Sequence, residues 1–247
     1  MNPTPSSWLL RPFPRPDAQA TLVCFPFAGG NVSAFSPWNR FLDDRIELFI
    51  ANLPGRGQRR LEPPESQLAV VVGALAEAVA ALPDRKTVLM GHSLGATIAF
   101  EVARRLRGDQ QRLPDHLVLS SRRGPRMLDT RTPSHHLSDD AFIAAISERY
   151  GGIPEVILQE PALLALFLPA LRADITLYER YNYHPQPPLP VPISAWGGRA
   201  DPALSPAALE FWREETSAAF STRWYPGGHF YLQPERAAVL RELQALL

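Results

Sequence analysis

Short apolar runs recur along the chain and alternate with stretches in which apolar residues return every three or four positions. Short apolar runs are typical of buried parallel strands, whereas the longer periodic stretches predict amphipathic helices. Six strands are predicted at Thr21–Phe27, Ile46–Asn52, Lys86–Met90, His116–Leu119, Val191–Trp196 and Ser221–Tyr225. Helices are predicted at Gln67–Leu82, Leu94–Arg107, Pro206–Ala218 and Pro234–Leu246. This alternation predicts an α/β fold with a mostly parallel central sheet flanked by helices.

One stretch, from about Ser138 to Tyr183, interrupts the alternation because its pattern is helical throughout. Ser138 followed by two aspartates is a typical helix start, since a hydroxyl caps free amides and carboxylates complement the helix dipole. An apolar helical insertion between strands predicts a lid over an active site, and a helical pair that completes the core is the alternative. We therefore predict a single domain over residues 1–247 with a helical lid insertion at about 135–184.

The composition is that of an ordinary globular protein, with 45% hydrophobic and 20% charged residues. Its 25 basic and 25 acidic residues balance, which predicts no general attraction to nucleic acid or to an anionic membrane. The single cysteine, Cys24, allows no internal disulfide and is typical of a reducing compartment. No signal peptide and no run of about 18 apolar residues is recognisable, so a cytoplasmic protein is predicted, with a monomer as the default state.

Residues Gly91–Gly95 read Gly-His-Ser-Leu-Gly and lie where a predicted strand meets a predicted helix. At such a junction a Gly-x-Ser-x-Gly sequence predicts the nucleophile elbow of the α/β-hydrolase fold. The sharp turn exposes the serine hydroxyl, and glycines are needed where a Cβ would collide with a neighbouring strand or helix. Ser93 is therefore the predicted nucleophile, and a serine N-cap flanked by glycines is the structural alternative.

A serine hydroxyl needs a base, and in this fold an acid and then a histidine follow the serine along the chain. Of the six histidines, only His229 follows a late strand in a glycine turn and precedes a final helix. Asp201 lies in the loop after Val191–Trp196, where a carboxylate can fix the tautomer of the histidine. A helix N-cap near Pro202 is the competing interpretation of Asp201. Asp115 is a weaker rival acid because it precedes a strand.

Two backbone amides are expected to stabilise the oxyanion in this fold. One belongs to Leu94, the residue after the nucleophile. The other is expected in the loop Phe25–Gly30, where Ala28 is favoured by its position and Phe27 is the alternative.

Two further groups of polar side chains bear on function. Three histidines lack partner cysteines or carboxylates at metal-ligand spacing, so no metal site is predicted; they are His135, His136 and His184. Hydrolysis through an acyl-serine needs no cofactor, so none is predicted. Basic residues cluster after the strand His116–Leu119, where they would suit an acidic protein partner or form a solvated basic loop. The members of this cluster are Arg122, Arg123, Arg126 and Arg131.

Together these motifs resemble the type II thioesterases, the free-standing editing enzymes of nonribosomal peptide and polyketide synthases. The resemblance covers the chain from about Thr21 onward, and the family often has a histidine where this chain has Phe27. It is carried, in the order of the family, by Phe25–Gly30 (Phe-Pro-Phe-Ala-Gly-Gly), Leu53–Gly57 (Leu-Pro-Gly-Arg-Gly), Gly91–Ala96, Gly198–Pro202 and Gly227–Phe230. The first two of these elements are the most specific to the family.

The resemblance implies an enzyme that removes misprimed or stalled acyl groups from the phosphopantetheine arms of acyl or peptidyl carrier proteins, in the biosynthesis of an antibiotic or a siderophore. The carrier protein would be a transient partner. A helical lid is also implied, in agreement with the pattern of Ser138 to Tyr183. The rival functions are a carboxylesterase or lipase with the same triad, a cyclising terminal thioesterase, and a non-catalytic binding module.

Overall fold

Within residues 7–127, 130–150 and 153–247, which the computed structural model describes, seven segments are strands of one sheet. The strands are β1 (Leu9–Leu10), β2 (Ala20–Phe25), β3 (Ile46–Ala51), β4 (Lys86–His92), β5 (His116–Ser120), β6 (Ile193–Gly198) and β7 (Phe220–Tyr225). Their spatial order is β1-β3-β2-β4-β5-β6-β7, and every neighbouring pair is parallel except β1 with β3. The predicted mostly parallel sheet is confirmed, with β4 at its centre.

Helices cover both faces of this sheet. The helices are α1 (Leu68–Ala80), α2 (Leu94–Gly108), α3 (Asp139–Tyr150), α4 (Glu155–Gln159), α5 (Pro161–Glu179), α6 (Pro206–Glu210) and α7 (Arg236–Ala245). Short 3-10 turns lie at Val32–Ala34, Ser36–Arg40, Gly57–Arg59 and Phe211–Glu215. The predicted helix Pro206–Ala218 is therefore wrong in its second half, where the α-helix gives way to a 3-10 turn that ends before Thr216.

Two apolar layers, one on each face of the sheet, form the core. Successive residues of β2 alternate between them: Leu22 and Cys24 belong to the layer under α7, and Val23 to the layer under α1 and α2. This is the two-residue period of a strand, here buried on both sides. Each fully buried aliphatic side chain of this kind stabilises the fold by about 1.5–3 kcal/mol.

Strand boundaries differ from the predicted ones where the site is built. β2 stops at Phe25 because Pro26 has no amide to continue the ladder, and this frees residues 26–30 as a loop. β4 runs on to His92, one residue before Ser93. The short antiparallel strand β1 carries no sequence signal of its own, since two residues show no periodicity.

The predicted helical insertion forms α3, α4 and α5, between β5 and β6. Residues 151 and 152 of the predicted lid, like residues 1–6, lie outside the described part of the chain, and the single-domain boundary stays a prediction. The insertion has its own apolar cluster, which includes Phe142, Ile146, Leu171 and Ile175. Ala28 of the loop after β2 packs against this cluster, so the insertion rests directly on the predicted oxyanion loop.

Among the described residues, α5 alone is a helix long and apolar enough to cross a membrane by length and composition. It has 19 residues, and 33% of its most apolar window is buried. The expectation that no stretch reaches this length is therefore wrong. A partly buried lid helix passes the same test, because its apolar residues face the lid cluster and the cavity beneath it.

Candidate active site

Ser93 occupies the tight turn between the end of β4 and the start of α2. Its backbone has φ 56° and ψ −116°, a conformation that side-chain-bearing residues rarely adopt and that costs about 1–3 kcal/mol. The amide of Ser93 donates a 2.8 Å hydrogen bond to the carbonyl of Ser120 on the neighbouring strand, which holds the turn against the sheet. The strain is thus supported by tertiary contacts, as expected for the nucleophile elbow.

The glycines on either side of Ser93 are required by close backbone packing. A Cβ at Gly95 would lie 1.9 Å from the carbonyl oxygen of Phe25, and one at Gly91 would lie 2.1 Å from the carbonyl oxygen of Gly95. No side-chain adjustment can relieve a contact with backbone. The alternative of a simple serine N-cap does not apply, since Ser93 makes no side-chain capping hydrogen bond.

The structure brings the three predicted triad residues into one hydrogen-bonded chain. His229 Nε2 lies 3.0 Å from Ser93 Oγ, across 136 residues of sequence, and His229 Nδ1 lies 2.8 Å from Asp201 Oδ2. All three residues are buried, with at most 9% of their surface exposed. A carboxylate only accepts hydrogen bonds, so Asp201 places the proton on Nδ1 and leaves the Nε2 lone pair facing the serine hydroxyl.

The N-cap interpretation of Asp201 is wrong, because the N-cap of α6 is Ser205, whose hydroxyl accepts a hydrogen bond from the amide of Ala208. While Oδ2 faces His229, Oδ1 accepts a 2.9 Å hydrogen bond from the amide of Ala203. The hydrogen bond from Ala203 fixes the orientation of the carboxylate, so that Oδ2 faces His229. The rival acid, Asp115, instead accepts from the amide of Thr87 at 2.8 Å and pairs with Arg112, at the start of the strands and away from Ser93.

Close backbone contacts hold the loop that carries Asp201 against the loop that carries His229. The amide of Ala200 donates to the carbonyl of Gly227 at 2.8 Å, and a Cβ at Gly198 would lie 2.2 Å from the carbonyl of Gly228. The glycines of these two loops therefore permit the backbone approach that brings acid and base together.

In the predicted oxyanion loop, two backbone amides donate hydrogen bonds within the protein, and two have no acceptor among the described residues. The amide of Gly30 donates to the carbonyl of Phe27 at 2.8 Å, and the amide of Gly29 donates to a lid carboxylate at 2.7 Å. Within the described part of the chain, the amides of Ala28 and Phe27 have no acceptor. Leu94 begins α2, so its amide is one of the unsatisfied donors of a helix N-terminus. Leu94 with Ala28, or with Phe27, thus remains the predicted pair of donors.

The motif Gly-His-Ser-Leu-Gly also contains a buried histidine, His92, for which the sequence predicted no role. His92 Nδ1 lies 2.8 Å from Ser120 Oγ, which lies 2.7 Å from the hydroxyl of Tyr231. The imidazole of His92 lies 5.3 Å from that of His229. Burial, followed by repulsion from His229, holds the pKa of His92 well below its usual range. His92 therefore stays neutral and adds no positive charge beside the base.

A cavity of about 390 Å³ opens in front of Ser93, beneath the lid. Among its described lining residues none is Asp, Glu, Lys or Arg, so it suits an apolar acyl group. Its apolar walls come mainly from the lid and from the loop after β2: Phe27, Ala28, Ile146, Ile153, Ile157, Phe167, Leu171, Ile175 and Phe230.

One ion pair links the lid to the two loops with the most specific motifs. Asp174 of α5 pairs with Arg56 through two hydrogen bonds, of 2.5 and 2.8 Å, and the same carboxylate accepts the amide of Gly29. Asp174 has no exposed surface, and Arg56 is 7% exposed. The sequence motif that contains Arg56 gave no indication of this role. A lone carboxylate in the apolar stretch of α5 was the available signal for Asp174.

The remaining predicted polar residues lie apart from the triad, except for the basic cluster. His135 pairs with Glu179 at 2.7 Å, and no group of three His, Cys, Asp or Glu side chains among the described residues is placed to hold a metal ion. In the basic cluster, Arg122 is only 8% exposed, so a solvated loop does not describe it. Arg122 lines a void that also reaches Ser93.

Comparisons with known proteins agree in one family. The family model described as a thioesterase domain matches residues 20–247. The chain is 37% identical to the gramicidin S biosynthesis protein GrsT of Aneurinibacillus migulanus, covering 92% of this chain and 88% of that protein. It is similar to the structure of the RedJ thioesterase from the prodiginine pathway of Streptomyces coelicolor, with a TM-score of 0.87 and 39% identity over 95% of this chain and 88% of that one. The type II thioesterase BorB, from the borrelidin biosynthetic cluster, has a TM-score of 0.88 and 33% identity over 97% of both chains.

Proposed function

Because this chain belongs to the thioesterase family, we propose that it hydrolyses acyl thioesters with Ser93 as nucleophile, His229 as general base and Asp201 orienting the base. One observation carries the assignment of roles: the hydrogen-bonded chain from Asp201 through His229 to Ser93 ends at a cavity whose described walls are mainly apolar. That arrangement suits transfer of an apolar acyl group through Ser93 to water.

The reaction proceeds in two halves through an acyl-serine. His229 Nε2 takes the proton of Ser93 Oγ as the oxygen attacks the thioester carbonyl, and the amides of Leu94 and Ala28 stabilise the oxyanion. The thiol leaves with the proton that His229 returns to it. His229 then takes a proton from water, the hydroxide attacks the acyl-serine, and the carboxylic acid departs as Ser93 regains its proton. Asp201 stays ionised throughout, and no cofactor is required.

The enzyme is a type II thioesterase of nonribosomal peptide or polyketide biosynthesis, and it removes misprimed or stalled acyl groups from the phosphopantetheine arms of carrier proteins. Support comes from the relatives: GrsT is named for gramicidin S biosynthesis, RedJ for the prodiginine pathway and BorB for the borrelidin cluster. An acyl or peptidyl carrier protein is accordingly the transient partner. We place the enzyme in the cytoplasm, as a monomer.

Hydrolysis of one acyl group on three leaving groups tests the proposal. Acetyl-phosphopantetheine on a carrier protein, acetyl-CoA and p-nitrophenyl acetate are compared by kcat/KM. We expect the carrier-bound thioester to be preferred. A preference for the oxygen ester would leave the triad in place and make the protein a general esterase.

The variant Ser93→Ala separates chemistry from binding in the same assay. It removes the nucleophile, so kcat/KM for thioester hydrolysis should fall by several orders of magnitude while the far-UV circular dichroism spectrum is unchanged. Retained hydrolysis by Ser93→Ala would show that another group is the nucleophile.

A further inference from the structure

Tyr150, the last residue of α3, is a lid residue that packs against the base His229. Its ring centre lies 5.2 Å from that of His229, and the two ring planes are inclined at 48°. Tyr150 also lines both the cavity in front of Ser93 and a small void beside Ser93 and His229. Among the described aromatic side chains of the lid, Tyr150 alone makes a ring contact with His229.

Two other rings contact the imidazole of His229, and neither belongs to the lid. His92, beside the nucleophile, lies 5.3 Å from it at an inclination of 51°. Phe230, the next residue of the same loop, lies 5.1 Å from it and is nearly perpendicular, at 86°. The imidazole is therefore bounded by the elbow, by its own loop and, through Tyr150, by the lid.

The orientation of the imidazole controls both hydrogen bonds of the triad. His229 Nε2 faces Ser93 Oγ at 3.0 Å, while Nδ1 of the same ring faces Asp201 Oδ2 at 2.8 Å. Rotation of the ring about its χ2 angle would break both contacts at once, and the intrinsic torsional preference restricts this angle only weakly in histidine. Packing against neighbouring rings supplies the restriction. It matters to the rate, because a misplacement of about 1 Å can slow a reaction about 100-fold.

Tyr150 contacts His229 with an uncharged ring that is a poor acid. Burial raises the pKa of its phenol above the usual range, with a smaller contribution from Tyr178, so the side chain holds its proton firmly. The guanidinium carbon of Arg131 lies 5.6 Å from the ring centre of Tyr150 and 5.8 Å from that of Tyr178. These contacts tie the end of α3 to α5 and so hold the ring of Tyr150 in place within the lid.

We propose that Tyr150 is a positioning residue that holds the imidazole of His229 in the orientation required for proton transfer with Ser93; the inference rests on the proposed thioesterase function. The lid thus contributes to the chemical step and not only to the walls of the cavity. What the reaction needs at position 150 is a flat ring, because the phenol hydroxyl takes part in no step.

Removal of the ring at position 150 tests the proposal, with acetyl-CoA as the substrate because a small acetyl group makes few contacts with the apolar cavity. Tyr150→Leu should lower kcat by about 10–100-fold, with a smaller change in KM, because the imidazole is free to rotate away from Ser93. Tyr150→Phe keeps the ring and should retain the wild-type kcat. Tyr150→Met, which also lacks a ring, replaces Tyr150→Leu if that variant does not fold.

The same substitution at Tyr181, just after α5, supplies the matched control. The hydroxyl of Tyr181 donates a 2.6 Å hydrogen bond to Glu101 of α2, and the residue lines neither the cavity nor the void beside Ser93. Tyr181→Leu should therefore leave kcat at its wild-type value. An equal loss of kcat in Tyr150→Leu and Tyr181→Leu overturns the proposal, because the effect would belong to a general disturbance of the lid. An equal loss in Tyr150→Leu and Tyr150→Phe also overturns it, because the hydroxyl would then be the active group.

The proton between His229 and Asp201 gives a measurement that does not depend on turnover. A buried Nδ1–H that donates to a carboxylate gives a far-downfield proton resonance, which its absence from His229→Gln identifies. This resonance should be sharp in the wild type and in Tyr150→Phe, and broadened or absent in Tyr150→Leu. If the wild type hydrolyses no thioester, the proposed function fails, yet this comparison still decides the role of Tyr150. If thioesters are hydrolysed and the resonance is the same in Tyr150→Leu as in the wild type, the positioning role alone is wrong.

Discussion

The carboxylate of Asp174 on the lid helix α5 accepts a 2.7 Å hydrogen bond from the backbone amide of Gly29, in the loop beside the nucleophile. The two residues are 145 positions apart in sequence. Because Asp174 also holds the guanidinium of Arg56, three segments of the chain meet at one buried carboxylate. We therefore expect Asp174 to be a positioning residue for the reaction, since Gly29 directly follows the predicted oxyanion donor Ala28.

Removing the carboxylate of Asp174 should lower both the free energy of unfolding and kcat. Asp174→Leu leaves the buried Arg56 without a partner, which is expected to lower the free energy of unfolding by about 3–5 kcal/mol in denaturant titrations. The double variant Arg56→Met/Asp174→Leu should recover much of that loss, because no uncompensated charge remains. Its kcat should stay low, since the amide of Gly29 still lacks its acceptor. A double variant with wild-type kcat would contradict the positioning role.

An asparagine side chain has nearly the same shape as that of Asp201 but lacks its negative charge. Asp201→Asn permits the wrong tautomer of His229 and cannot stabilise the imidazolium, so kcat should fall by about 10³–10⁴-fold with little change in KM. The rival acid provides the control, and Asp115→Asn should leave kcat unaltered. Equal losses in the two variants would point to a general structural effect.

Two glycine-to-alanine substitutions should have opposite effects on stability. Gly95→Ala drives a Cβ into the carbonyl of Phe25 at the elbow, so this variant should fail to fold or should melt at a much lower temperature. Gly73→Ala, in α1, meets no atom within 4 Å and replaces a poor helix former. It should stabilise the protein by about 0.5–1 kcal/mol. Thermal melts of both variants check the pair, and a tolerated Gly95→Ala would contradict the close backbone packing of the elbow.

The neutrality of buried His92 predicts a pH-dependent contribution to stability. In the unfolded chain this imidazole takes up a proton as the pH falls below about 6.5, whereas in the folded protein burial depresses its pKa and delays protonation. Stability is therefore complete above pH 6.5 and is lost as the pH falls toward the folded pKa, with a limiting slope of about 1.4 kcal/mol per pH unit for one proton.

The variant His92→Asn isolates this contribution. Denaturant titrations between pH 5 and 7.5 should show a weaker decline of the unfolding free energy with falling pH in His92→Asn than in the wild type. The carboxylates and His116 titrate in both proteins, so their effects cancel in the difference. Parallel curves for the two proteins would show that folding does not lower the pKa of His92.

The sequence alone predicted strands β2 to β7 with their intervening helices, and it placed Ser93, Asp201 and His229 in the loops after three of these strands. Each of these residues lies in a short loop after a recognisable strand, and parallel strands present such loops at one edge of the sheet. The motif at residues 91–95 was informative because elbow geometry restricts the residues that fit. Strand and helix ends were less well predicted, as at Phe25 and Pro206–Glu210, since local competition decides them.

Only the tertiary structure decided which charges are buried and what they face. The Arg56–Asp174 pair spans 118 residues, and the position of Arg122 beside Tyr178 depends on how the lid packs on the sheet. No sequence pattern predicts such contacts, because the residues around an arginine in a loop do not show whether its side chain faces water or a cavity. Burial gives these side chains their effect on stability and binding, and burial is a property of the assembled fold.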